Sequence, residues 1–201
     1  MKKILFIIII FLTGCSKYTD LKDLTIIKSI GIKYDDNYTI YAQIYDDIKK
    51  NIDPKTKVII VDGENIKETF NNLKNKIDKE MFLSHIDLLI LDKNLSNKNF
   101  QEIIDYFIHN NEMRNDFLTI MSNDINKLLT NTKYDEIETF VKTNKYLRNI
   151  INTSFEEIAN NYLEKKDFFI TNINYDIYFT YQNYYFHNNT LKELNNEENW
   201  I

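Results

Sequence analysis

One cysteine, one proline and three glycines are all that 201 residues hold of the types that staple, break or bend a chain. A single cysteine, Cys15, leaves no partner for a disulfide within the chain. Gly14, Gly31 and Gly63 are too few and too scattered for a glycine-rich phosphate loop, in either P-loop or dinucleotide-binding spacing. His85, His109 and His187 stand far apart, so two of them share a metal only if the fold brings them together. Ser29, Ser84 and Ser122 lack a nucleophile-elbow context. Asp35-Asp36 and Asp46-Asp47 read as solvated turns, because adjacent carboxylates repel and no partner is evident. A carboxylate pair of the glycosidase kind would have to be assembled by the fold.

Positive charge is also in short supply. Twenty-five Lys and Arg face thirty Asp and Glu, a net charge of −5. Such a chain has no general attraction for nucleic acid or for anionic lipid headgroups. No run of Lys and Arg with interleaved aromatics reverses that conclusion, so nucleic acid is set aside as a partner.

What is present begins at the first residue. Lys2 and Lys3 precede Ile4 to Leu12, an unbroken apolar run of nine residues. A membrane-spanning helix needs about 20 residues, whereas a signal-peptide core needs only 7–15. Leu12-Thr13-Gly14-Cys15 follows directly and has the form of a bacterial lipobox: a branched apolar residue, two small ones, then the cysteine whose thiol accepts lipid. The expectation is a lipoprotein signal peptide over 1–14, a lipidated tether over 15–22 and an α/β domain over 23–201. Acyl chains on Cys15 (diacylglycerol and a fatty acid such as palmitate) would hold the protein at the outer face of the cytoplasmic membrane.

Within the domain, Leu24–Tyr34 and Tyr38–Tyr45 flank Asp35-Asp36-Asn37 and predict a hairpin; the second alternates Tyr38, Ile40, Ala42 and Ile44 with more polar neighbours. Asn51–Lys57 reads as a loop and Val58–Val61 as a short strand. Ile66, Phe70, Leu73 and Ile77 fall on one face of a helix, with Glu64 and Glu68 early and Lys74, Lys76 and Lys79 late. His85–Leu91 is a nearly continuous apolar run, as in a strand covered on both faces. Phe100, Ile103, Ile104, Phe107 and Ile108 predict a second helix, Phe117–Met121 a strand and Asp124–Leu129 a short helix. Ile137, Phe140 and Val141 suggest another helix. Ser154 and Glu157 form a capping box ahead of Phe155–Leu163. Phe168–Ile173 and Ile177–Phe186 favour strand, and Thr190–Ile201 reads as a charged helix or turn. Strands alternating with helices predict an α/β fold, a mixed sheet with flanking helices, with α+β the alternative.

The tyrosines at 175, 178, 181, 184 and 185 admit two readings. They form a binding face, since tyrosine is common at interface hot spots, or they pack on the sheet with hydroxyls in water. Tyr178, Tyr181 and Arg114 are the docking candidates, with a surface ion pair the alternative for Arg114.

The order of these segments resembles the Ger(x)C (GerAC-type) spore germination lipoproteins, specifically their N-terminal domain. The resemblance rests on the lipobox, Asp23-Leu24-Thr25-Ile26-Ile27, Ser29-Ile30-Gly31-Ile32-Lys33, Asp62-Gly63-Glu64-Asn65-Ile66, Phe82-Leu83-Ser84-His85 leading into Ile86–Leu91, Glu112-Met113-Arg114, and the Leu194–Glu198 stretch. His109 departs from the basic Arg common in that family. Family members continue with further α/β regions where this chain ends at Ile201, so it reads as a shortened relative. The resemblance implies an accessory, non-enzymatic subunit of a germinant receptor beside integral-membrane partners. It implies no catalytic residues, cofactor or metal, and a place at the inner spore membrane in a host that sporulates. The competing classes are a small substrate-binding lipoprotein of a transporter and an anchored hydrolase.

Overall fold

The computed structural model describes residues 24–46, 55–151, 153–188 and 190–194. Residues 1–23, where the leader, Cys15 and tether are expected, Asp47, residues 51–54 of the expected loop, and the end beyond Leu194 lie outside the described residues. Ten strands form one mixed sheet. Its centre is parallel: β1 (Leu24–Tyr34), β5 (Leu88–Asp92), β6 (Leu118–Ser122) and β8 (Phe168–Tyr175) lie side by side in that order. Antiparallel strands extend both flanks: β2 (Tyr38–Asp46) and β3 (Lys55–Gly63) beyond β1, and β9 (Phe179–His187) and β10 (Thr190–Glu193) beyond β8. Two short strands complete it, β4 (Glu80–Phe82) alongside β1 and β7 (Thr153–Ser154) alongside β6.

Five helices cover the two faces. On one, α1 (Ile66–Lys76), α2 (Asn97–Ile108) and α5 (Phe155–Leu163) bury Phe70, Leu73, Ile103, Phe107, Phe155 and Ile158 against Ile30, Ile32, Leu89, Leu91 and Ile170. On the other, α3 (Ile125–Asn131) and α4 (Tyr134–Tyr146) bury Leu128, Leu129, Ile137 and Val141 against Leu88, Ile90, Ile120 and Ile173. The apolar run Leu88–Leu91 of β5 follows from that sandwich, since its alternate residues enter different cores. The α/β class expected from the sequence is the class observed.

Local chemistry explains the helix starts. Asn65, Ser96, Asp124 and Ser154 each accept a bond from the backbone N–H three residues on, satisfying one of the unpaired donors of α1, α2, α3 and α5. Two glycines serve close approach. A Cβ on Gly31 would stand 2.1 Å from Ile125 Cγ2 and 3.3 Å from Leu129 Cδ1, so glycine lets α3 lie directly on β1. A Cβ on Gly63 would stand 2.6 Å from Thr69 Oγ1, beneath the first turn of α1. Gly31→Ala should therefore lower the unfolding free energy by about 1–3 kcal/mol, through displacement of α3. Urea titration checks it, and an unchanged midpoint would mean that α3 gives way freely.

Several boundaries differ from expectation. β5 starts at Leu88, because Ser84 and His85 lie in a turn ahead of it. β3 runs from Lys55 to Gly63, longer than Val58–Val61, since nine residues pair with β2. Ile177 sits in the β8–β9 turn, not in a strand. Thr190–Glu193 is a strand rather than a helix or turn, paired with Tyr184–His187 of β9. No described helix is long and apolar enough to cross a membrane.

Candidate docking surface

The residue types that carry chemistry are dispersed over the fold. His85 is exposed in a turn, its ring 5.0 Å from that of Phe82. His109 caps α2, its Nδ1 2.7 Å from the Asp105 carbonyl. His187 ends β9, its Nδ1 2.8 Å from Asp167. Ser29 is buried in β1 and donates to Gln43 Oε1; Ser122 ends β6 and donates to Asn174 Oδ1. Ser84 shares the turn with His85. Asp35 and Asp36 are exposed in the β1–β2 turn, where Asp35 pairs with Lys33 at 2.6 Å. Among the described residues no three His, Cys, Asp or Glu side chains group as metal ligands would.

Parallel sheets bind ligands where neighbouring strands send their connections to opposite faces. Here that point lies between β5, which leads to α2, and β6, which leads to α3. Hydrogen bonds tie it together: the Lys93 N–H donates to the Ser122 carbonyl at 3.2 Å, and Asn174 Oδ1 accepts from Ser122 Oγ and the Asn123 N–H. Beside it is a cavity of about 390 Å³, walled by Phe100, Phe168, Phe186 and Met121. The polar groups at its rim are already engaged. Asp92 accepts from the Asn94 N–H at 2.7 Å, Ser96 caps α2, and Lys93 lies 4.6 Å above the Tyr184 ring.

Asp92 is itself a cost to the fold. Burial raises its carboxyl above the usual carboxylate range, against the pull of the Asn94 bond and Lys33. A carboxyl held above its unfolded value binds its proton more readily in the folded state, so stability rises as pH falls through the raised value. Asp92→Asn, which keeps an acceptor for the Asn94 N–H, should be neutral or stabilising at pH 7 and lose that advantage in acid. Thermal unfolding at pH 7 and pH 4 checks the sign.

The tyrosine-rich stretch divides between the two readings. Tyr184 is core, 5% exposed. Tyr185 donates to Asp167 and stacks on His187. The turn after β8 is different: Ile177 is 82% exposed and Tyr178 70%. Behind them a chain of rings joins the turn to α4, with Tyr175–Phe179 centroids 5.0 Å apart, Phe179–Phe140 4.7 Å and Phe140–Tyr181 6.2 Å. Asp176 anchors the turn by an ion pair to Lys127 on α3 and by its N–H to the Tyr178 carbonyl. The result is an apolar ledge on a braced hairpin, able to enter a partner's pocket with little ordering cost.

Arg114 is not on that ledge. It is exposed ahead of β6, at the amino ends of the parallel strands, and forms a two-bonded pair with Asp116, which holds the Asp116 carboxyl below its ordinary range. That is the ion-pair reading, and its net contribution is small. Sequence reasoning missed Phe140, Ile177 and Phe179. Tyr178 and its neighbours gave the aromatic signal, but only the turn geometry separates exposed rings from buried ones.

No solved structure matches the chain. Spore germination protein KC of Bacillus subtilis (strain 168) is 26% identical to it over 122 residues, which are 55% of this chain and 29% of that protein. The chain thus spans under a third of that relative's length. Residues 17–175 match the family model described as the spore germination protein N-terminal domain, and with most of its length matched the chain belongs to that family.

Proposed function

We propose that the protein is a lipid-anchored, non-enzymatic subunit of a membrane complex of the germinant-receptor kind, held at the outer face of the membrane by acyl chains on Cys15. The observation that carries the reading is a juxtaposition in sequence. The family match starts at residue 17, two residues beyond the cysteine of Leu12-Thr13-Gly14-Cys15. Anchor motif and family match are separated by a single residue, Ser16. In this reading residues 1–14 are the leader, 15–22 the tether, and integral-membrane proteins the partners.

Two further features support it. The described residues share one continuous sheet, whereas a transporter's substrate-binding lipoprotein works by closing two lobes. Ser29, Ser122, His109 and His187, which a hydrolase could use, stand on separate elements, each with its own hydrogen-bond partner, while Ser84 and His85 share one turn ahead of β5. Docking through the ledge makes a direct prediction. Ile177→Ser with Tyr178→Ala should weaken partner binding by about 2 kcal/mol or more if the turn is a hot spot, roughly thirtyfold in affinity. Co-purification from solubilised membranes reads the loss, with circular dichroism showing the fold intact. Retention of the partner at the wild-type level would remove the ledge from the interface.

A further inference from the structure

The sheet has two ends, and the chain enters it at only one. Leu24, the first residue of β1, pairs with Glu80 of β4 at the amino ends of the parallel strands. β1 overhangs β5 there, since its pairing with β5 begins only at Ser29. The Ile177–Tyr178 turn lies at the other end, past the carboxyl end of β8, with the Asp35–Asn37 turn and the first turn of α3.

Covalent reach then decides which end can face a bilayer. Cys15 and Leu24 are nine residues apart, about 32 Å at full extension. β1 alone, with 11 residues, is about 33 Å long. Turning the carboxyl end of the sheet to the membrane would require the tether to run back along the whole of β1 with no slack. Ordering it that way costs about 1–2 kcal/mol per residue in backbone entropy. Charge does not offset this, because a chain of net charge −5 is not drawn to anionic headgroups.

We infer that the domain stands on the bilayer with the amino edge of its sheet toward the lipid and the Ile177–Tyr178 ledge pointing away. This rests on the lipid anchor at Cys15 proposed above. The ledge is then raised by at least the length of β8, about 23 Å for its eight residues. A partner that meets it does so with an extracytoplasmic portion, not with its membrane-embedded part.

Native lysines report the orientation without mutation. Lys79, Lys165 and Lys166 are exposed at the amino edge, beside β4 and ahead of β8. Lys33 and Lys127 lie at the carboxyl edge. The lipoprotein purified from membranes is reconstituted into phosphatidylcholine vesicles doped with a lipid whose headgroup carries a short amine-reactive ester. Peptide mass spectrometry then locates the label. The expected result is labelling concentrated on Lys79, Lys165 and Lys166. Equal or greater labelling of Lys33 and Lys127 overturns the inference. A parallel sample, the chain from Cys15 onward coupled through that thiol to a maleimide lipid, separates the two claims. If the native protein fails to join vesicles while the coupled one labels as expected, the anchor proposal fails and the geometry stands.

Discussion

Phe107→Ala should destabilise the domain by about 3–5 kcal/mol, the range for truncating a large aromatic in a packed core. Phe107 is fully buried on α2 and lies at the centre of a ring cluster, its centroid 5.8 Å from Phe70, 5.9 Å from Tyr106, 5.6 Å from Phe117 and 5.3 Å from Phe155. Tyr106 is on α2 itself, and the other three come from α1, the approach to β6 and α5, so no single element can shift to fill the hole. Because domains of this size are stable by only about 5–15 kcal/mol, a large share of the stability is at stake. Tyr146→Ala is the control: that ring is 88% exposed and its removal should stay within about 0.5 kcal/mol. Equal unfolding midpoints for the two variants would contradict the packing described here.

The second large effect concerns the anchor. Cys15→Ala should abolish incorporation of labelled fatty acid and leave the precursor uncut by lipoprotein signal peptidase, because the chain has no second thiol to take the lipid. The nine apolar residues from Ile4 to Leu12 are too few to replace that anchor with a spanning helix. The variant should therefore lose the acyl chains that give stable attachment, each buried CH₂ being worth about 0.8 kcal/mol. Metabolic labelling followed by electrophoresis settles the matter. Label retained on the Cys15→Ala protein would refute the lipobox assignment.

Much of the fold was legible because its long elements are strongly periodic. α2 carries Phe100, Ile103, Ile104 and Phe107 on one side, and Ser154 announces α5 by capping it. The alternation in β2 and the apolar run of β5 likewise follow from one covered face and two covered faces. β4, β7 and β10 were not legible, because strands of two to four residues have no period to show and are fixed by the neighbour they pair with. The ledge was half legible. Tyr178 and Tyr181 drew attention by composition, yet the aromatic run hid the turn that exposes Ile177, and nothing local ties Phe140 on α4 to Phe179 on β9. Arg114 showed the reverse: a residue type enriched at interfaces here finds its partner two positions along, in Asp116. Gly31 was noted as a motif, but its purpose, seating Ile125 against the sheet, appears only once α3 is in place.

Membership of the germination family and the lipobox-like Leu12-Thr13-Gly14-Cys15 ahead of the matched residues support one central proposal, that this chain docks beside membrane proteins. The most direct measurement is affinity purification of the tagged chain from detergent-solubilised membranes of its own host, with every co-purifying protein identified by mass spectrometry. Integral-membrane proteins recovered in fixed proportion to the chain, and lost from the Ile177→Ser/Tyr178→Ala variant, are the predicted result. A chain recovered alone from membranes, or one that turns over a hydrolysable substrate by itself, would contradict the claim.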